Sequence, residues 1–299
     1  MSKLTPHLQK LKNQLSTDQN YGVVKTLIDR VYFFWSEETI ERNPLVYDAR
    51  IVIIGQGSKI GYLDDKVFKY NPDNYLIVSM PLPFECATYA SKDEPLLGIN
   101  IDIDLSELHE LVALASQHEQ TPESFKYDTS PKGVEPAPLN HDMTDSIIRL
   151  LKCLNSPLDS KVLGASLVKE IIYRVLLGQH GSSLYALTQH NTHYTNVAKS
   201  ISYIRNNYTQ PITVDELANH AGMSTSVFHR SFKDITGHSP VQYLKKIRLT
   251  TAKSLIIHEN MAANLAANKV GYESSSQFSR EFKKYFGVPP KHATNNGYL

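Results

Sequence analysis

The 299 residues predict an α+β fold. A small antiparallel β-barrel or sandwich with flanking helices comes first. An all-α unit follows, with two helix-turn-helix motifs joined by a long helix. Three observations carry this. The C-terminal third repeats itself at a spacing of 50 residues. The first copy is Phe228-His229-Arg230-Ser231-Phe232-Lys233 with Gly237 and Pro240 beyond; the second is Phe278-Ser279-Arg280-Glu281-Phe282-Lys283 with Gly287 and Pro290 beyond. Residues 46–103 are short β-forming runs separated by turn signals. Charge divides in the same place. Residues 195–299 hold 13 Lys and Arg against 6 Asp and Glu, a balance of +7, and residues 1–194 hold 18 against 24, a balance of −6.

In chain order, residues 1–20 are polar and lack the apolar stretch of a secretory signal. Val31-Tyr32-Phe33-Phe34-Trp35 is an aromatic run in which Trp35 either lines a pocket or closes the barrel. Arg50-Ile51-Val52-Ile53-Ile54 reads as a strand, and Gly55-Gln56-Gly57-Ser58-Lys59 as the turn after it. Residues 59–63 and 66–70 flank an Asp64-Asp65 turn, and Asn71-Pro72-Asp73-Asn74 is the next turn. Residues 75–80, 84–90 and 97–103 complete the series. β-Branched and aromatic residues bounded by Gly, Pro, Asn and Asp suit half-buried pleated strands. Their close spacing points to a small barrel over about residues 40–110. Helices are expected over about residues 140–181, where Ile147, Ile148, Leu151 and Leu154 form a stripe that is a dimer face or core. The division is therefore residues 1–181, a polar linker at 182–194, and residues 195–299.

Each repeat has the physics of a helix-turn-helix. Thr213-Val214-Asp215-Glu216 has capping-box spacing, which starts a helix at Val214. Leu217 and Ala221 share a face. Gly222 permits the sharp turn and Ser224 can cap the next helix. There Phe228 and Phe232, four apart, point inward. Thr225, Ser226, His229 and Arg230 share the outward face that a recognition helix offers to base edges. In the second copy Ser274 caps, Gln277 completes a box, and Phe278 and Phe282 go inward. Ser275, Ser276, Ser279 and Arg280 face out. Lys233 and Lys283, one turn further on, are phosphate contacts or solvated lysines. Residues 240–257 read as one helix with Val241, Leu244, Ile247 and Leu255 at helical intervals. It fixes the separation of the two heads.

These residues, with Pro211, Leu217-Ala218, Ala221-Gly222-Met223-Ser224, Gly237-x-x-Pro240, Tyr243, Arg248, Ala252, Val270-Gly271-Tyr272, Phe286-Gly287 and Pro289-Pro290, resemble the DNA-binding domain of the AraC/XylS family of bacterial transcription regulators. The family usually closes with a Tyr-Arg pair, where this chain has Lys291-His292-Ala293-Thr294. Further upstream, Pro44-Leu45-Val46-Tyr47, Gln56-Gly57-Ser58-Lys59, Tyr70-x-Pro72-x-x-Tyr75-Leu76, Leu82-Pro83 and Glu94-Pro95 resemble the cupin-type N-terminal domain of one AraC subgroup, as does Glu170-Ile171-Ile172-Tyr173-Arg174-Val175-Leu176. The resemblance implies a cupin-like barrel that senses an effector and dimerises.

A catalytic barrel would need more than this stretch offers. A metal-dependent cupin enzyme uses several His ligands and a carboxylate on adjacent strands. Residues 8–108 contain no histidine, which argues against an enzyme, a metal or another cofactor. Gly55-x-Gly57 lacks the further glycine and helix of a phosphate loop. Lys59 is either a solvated turn lysine or a partner for an anionic or carbonyl-bearing effector. Cys86 is either a packed strand cysteine or a sensor of electrophiles. With Trp35 these are the candidate effector contacts. Cys86 and Cys153 give no disulfide framework. No apolar run approaches the roughly 18 residues of a membrane span, so a cytoplasmic protein without a membrane partner is expected.

The expectation is a sequence-specific regulator, an activator switched by a small molecule in the barrel. Its partners would be double-stranded DNA, the effector, a second copy, and RNA polymerase if it activates. The alternatives are a ligand-independent repressor or architectural DNA binder, and a cupin enzyme with an appended DNA-binding domain.

Overall fold

The computed structural model describes residues 2–15, 19–117 and 131–293. Helix α1 (Thr5–Leu15) precedes strands β1 (Tyr21–Lys25), β2 (Val31–Ser36), β3 (Ile40–Tyr47), β4 (Arg50–Gln56), β5 (Ser58–Leu63), β6 (Lys66–Tyr70), β7 (Asn74–Val78), β8 (Leu82–Tyr89) and β9 (Leu96–Asp102). Helix α2 (Leu105–Ser116), strand β10 (Val134–Pro138) and helices α3 (His141–Cys153) and α4 (Pro157–Leu177) follow. All described pairings are antiparallel, in one sheet of order β1-β2-β9-β4-β7-β10 and a second of order β3-β8-β5-β6.

The runs expected from residue 50 onward appear as β4 to β9. The barrel nevertheless begins at Tyr21, well before residue 40, because β1 and β2 form a hairpin that adds to β9. Strand β10 has no counterpart among the expected runs. It carries Pro136 and Pro138, which cannot donate to a ladder, and it lies at the sheet edge on β7. The polar N-terminal stretch holds α1, whose Leu8 and Leu11, with Leu4 just before it, are buried in the same core as the barrel. The stripe on α3 is core: Ile147, Leu151 and Leu154 are buried, and α3 packs on α4.

The C-terminal part has helices α5 (Ser182–Thr188), α6 (His193–Asn207), α7 (Val214–His220), α8 (Thr225–Thr236), α9 (Pro240–His258), α10 (Ala263–Lys269) and α11 (Ser275–Phe286). Residues 182–194, expected as a linker, hold α5 and the start of α6, capped by Thr192. Leu184 and Leu187 of α5 are buried, but a helix of 7 residues is too short to show a period in sequence. Val241 is 57 % exposed and does not join the inward face of α9.

Two hydrophobic cores result, and their boundary is informative. One core runs unbroken from Leu4 through the barrel into α6, α7 and α8, as far as Ile247 in α9. The other begins at Leu249 and holds Ala266, Val270, Phe278 and Phe282. The first helix-turn-helix is thus fused to the barrel's core, and the second has a core of its own on the far half of α9, touching the barrel through contacts such as Lys253 with Asn43 (3.4 Å). Polar contacts secure the fusion. The stretch between β7 and β8 accepts from Tyr243 Oη at Pro81 O (2.7 Å), and β8 contacts His238 Nε2 at Pro83 O (2.7 Å). Gly133 N donates to Ile235 O (3.1 Å), Lys132 Nζ to Asp234 O (3.1 Å), and Arg205 pairs with Asp48 at 2.7 Å.

Candidate nucleic-acid interface and barrel cluster

Helices α7 and α8 meet at a turn through Gly222, whose φ is 64°, and α10 and α11 at a turn through Gly271, whose φ is 85°. Thr213 and Glu216 close the expected capping box on α7. Ser224 sits at the N-cap of α8 without a side-chain hydrogen bond. Ser274 caps α11 by accepting from Gln277 N, but the Gln277 side chain donates to Glu281 and leaves the box open. A further box, Ser239 with Gln242, starts α9. Phe228 and Phe232 are buried against Tyr243, and Phe278 and Phe282 against Tyr272 and Phe286. Truncating such a ring to alanine typically costs about 3–5 kcal/mol, so these pairs hold each recognition helix at its angle.

Burying those rings turns the opposite faces outward. Thr225, Ser226, His229, Arg230 and Lys233 are exposed on α8, and Ser275, Ser276, Ser279, Arg280 and Lys283 on α11. Within each set, positions i, i+1, i+4, i+5 and i+8 share one side of the helix. Thr225 has a further tie: its hydroxyl donates to Asp215 on α7 at 2.7 Å, which locks the first turn of α8 to its neighbour. In the second repeat, Glu281 joins α11 to α9 through Lys245 (3.0 Å) and accepts from Tyr272 Oη (2.8 Å). Lys291 and His292 lie in a short 3₁₀ turn, and Thr294 falls outside the described residues.

The three barrel candidates do not form one group. Lys59 is 2 % exposed, not solvated. Its Nζ donates to Tyr47 Oη at 3.1 Å and lies 5.5 Å from the centroid of the Phe34 ring. Tyr47 and Tyr70 hydroxyls meet at 2.8 Å, and Tyr70 Oη meets Cys86 Sγ at 3.1 Å. Burial raises the pKa of both tyrosines, so each hydroxyl stays neutral and can donate or accept. Lys59 and Cys86 therefore belong to one buried polar chain. Trp35 does not. Alternation along β2 sends it to the face opposite Phe34, where it stacks on Phe33 and donates from Nε1 to Gln19 O. The inward position of Lys59 has a signal in sequence: it is four residues before Leu63 on one strand, hence on the same face. Tyr47 and Tyr70 escape sequence reasoning because they come from other strands. Among the described residues, no group of His, Cys, Asp and Glu is arranged to hold a metal. No described helix is long and apolar enough to cross a membrane.

A cavity of about 420 Å³ lies where the barrel faces α9 and α11. His238 on its wall is 5 % exposed, and burial, reinforced by the Lys246 charge, pushes its pKa down to about 4. Lys284 also lines this cavity.

Comparison with known proteins agrees with this architecture. Residues 27–183 match the family described as AraC-type transcriptional regulator N-terminus, and residues 217–296 match a helix-turn-helix domain family. The raffinose operon transcriptional regulatory protein of Pediococcus pentosaceus is 31 % identical over 146 residues, 49 % of this chain and 51 % of that protein. The lactose operon transcription activator of Staphylococcus xylosus is 27 % identical over 154 residues, 50 % of this chain and 55 % of its own. The chain spans about half the length of these curated relatives. The unsaturated-fatty-acid-bound structure of ToxT from Vibrio cholerae shares the fold, with a TM-score of 0.59 at 14 % identity, over 92 % of this chain and 95 % of that one. With more than half of its residues in the matched N-terminal family and a tandem helix-turn-helix behind them, this chain belongs to the AraC-type transcriptional regulators.

Proposed function

We propose that the chain is a sequence-specific DNA-binding transcription regulator whose two recognition helices read successive major grooves, acting in the cytoplasm as an activator modulated by a small molecule in its N-terminal region. The observation that carries this is the pair of exposed faces in equivalent register, each with one arginine flanked by small hydroxylic residues. Arg230 and Arg280 read bases. Thr225, Ser226 and His229 on α8, and Ser275, Ser276 and Ser279 on α11, supply the other groove-facing contacts. Lys233 and Lys283 grip phosphate. The net positive charge of residues 195–299 supports phosphate binding. The name of the lactose operon activator supports the activator reading, and the fatty-acid-bound structure of similar fold supports an effector.

The test is selection of bound genomic fragments by the full chain. One non-palindromic site is expected per protomer, with two boxes about one turn, roughly 10 base pairs, apart. Affinity should fall steeply with salt as counterions are released. Binding with no sequence preference at any salt would overturn the reading.

A further inference from the structure

The turn glycines of the two heads, Gly222 and Gly271, both have positive φ, but their surroundings differ. A Cβ at Gly222 would meet nothing within 4 Å, whereas one at Gly271 would stand 2.4 Å from Thr209 O. Thr209 lies in the loop between α6 and α7, so the turn of the second head rests on a loop of the first. We propose that this loop, residues 208–211, is a strut between the reading heads, and that Arg248 and Gly271 determine through it which gap between the two boxes is bound. The proposal rests on the regulator reading above.

The loop is held from α9 as well. Tyr208 is the C-cap of α6, at the end where helix carbonyls lack helical partners. Arg248 supplies donors there: its Nε donates to Tyr208 O (2.7 Å) and its Nη2 to Gln210 O (2.8 Å). Two carbonyls held at once suit a planar guanidinium, whose donors are fixed relative to one another; an ammonium is a single point charge. The negative end of the α6 dipole favours the same cation. Arg248 sits on α9 between Ile247 and Leu249, where one core ends and the other begins. Among the described residues, Tyr208 is the one hydrophobic side chain packed against both cores. Beside the loop lies a cleft of about 390 Å³, lined by Pro211 from the first head and by Tyr272, Glu273 and Gln277 from the second, so the heads do not close on each other there.

The position sets the consequence. Helix α9 fixes how far apart the heads lie. Packing against α9 resists rotation of the second head only close to the helix axis; a contact further out resists it with a longer lever. The loop is such a contact. It is anchored by α6, whose Ile201 and Ile204 lie in the first core, and it meets the turn between α10 and α11. Rotation about α9 changes where along the duplex the second recognition helix lands, and so which gap fits.

The experiment measures the affinity of the full chain for DNA carrying both boxes from the fragment selection, at the selected gap and with one base pair removed or inserted. The wild-type chain should favour the selected gap at least tenfold. Arg248→Lys, which keeps the charge and loses the fork, should reduce that preference at least threefold while base preference inside each box stays as in the wild type. Gly271→Ala, which drives a methyl group into Thr209 O, should do the same or move the optimum by one base pair. Gly222→Ala carries the same positive-φ strain in the first head and should keep the wild-type gap. The two strut variants act at different points of the loop, so either one decides where the other does not fold. A wild-type chain indifferent to the gap overturns the strut. So does an unchanged gap preference in the folded variants, or a loss that is equal at every gap. Failure of the regulator reading would instead show as no base preference in either box.

Discussion

Arg230 and Arg280 occupy equivalent positions in the two repeats, and the residues around them differ: Thr225, Ser226 and His229 in one, Ser275, Ser276 and Ser279 in the other. Each head should therefore read its own box. An arginine paired with guanine contributes roughly 1–3 kcal/mol of discrimination. Arg230→Ala should relax preference in one box and Arg280→Ala in the other, as base-by-base affinity profiles would show. Uniform loss in both would mean that the arginines grip only phosphate. His238 gives a second prediction at this scale. The folded protein keeps its ring neutral down to about pH 4, whereas the unfolded chain takes up the proton near 6.5. The unfolded state binds more protons between those values, so this contribution is complete above pH 6.5 and is lost as pH falls toward 4, by up to roughly 3 kcal/mol. Melting temperature against pH should show the decline, and His238→Gln, which still donates to Pro83, should flatten it. The depressed His238 is not announced by neighbouring residues, and the alternation that turns Lys59 inward does not show what it meets there. Their environments are assembled from β3, β6, β8 and α9, elements remote in sequence.

At the scale of elements, the two recognition helices end alike. Gly237 and Gly287 are left-handed C-caps with φ of 71° and 77°. Their surroundings differ. A Cβ at Gly237 would stand 2.9 Å from Leu63 Cγ on β5, and one at Gly287 would meet nothing within 4 Å. Alanine at either site incurs left-handed strain of about 1–2 kcal/mol. Gly237→Ala should cost measurably more than Gly287→Ala in denaturant melts, and the difference reports how firmly the barrel presses on the first head. Equal costs would mean that the contact yields freely. The repeat makes both helix-turn-helix units readable, because phenylalanines four apart, a turn glycine and a cap recur in register. Strands β4 to β9 are readable for a related reason, since each lies between turn residues. Strands β1 and β10 and helix α5 are not, being short, partly polar or proline-bearing, and held by partners that only the fold brings together.

For the whole molecule, the break between the cores at Ile247 and Leu249 predicts two levels of stability. Helices α10 and α11 should open as a unit at lower free energy than α6, α7 and α8, which share the barrel's core. Native-state hydrogen exchange would show this as weaker protection in the second head; equal protection throughout would mean one cooperative unit. The 19 residues of α9 also span about 28 Å. Over that length a tilt of only about 7° carries the far end through roughly 3.4 Å, the rise of one base step along a DNA strand. The helix is in this sense a ruler whose near end is set in the barrel's core and whose far end meets the barrel through contacts such as Lys253 with Asn43. A change in angle too small to disturb either head's packing is enough to move the second head from one base pair to the next, so the spacing between the two boxes, and not only their letters, belongs to what this protein can read.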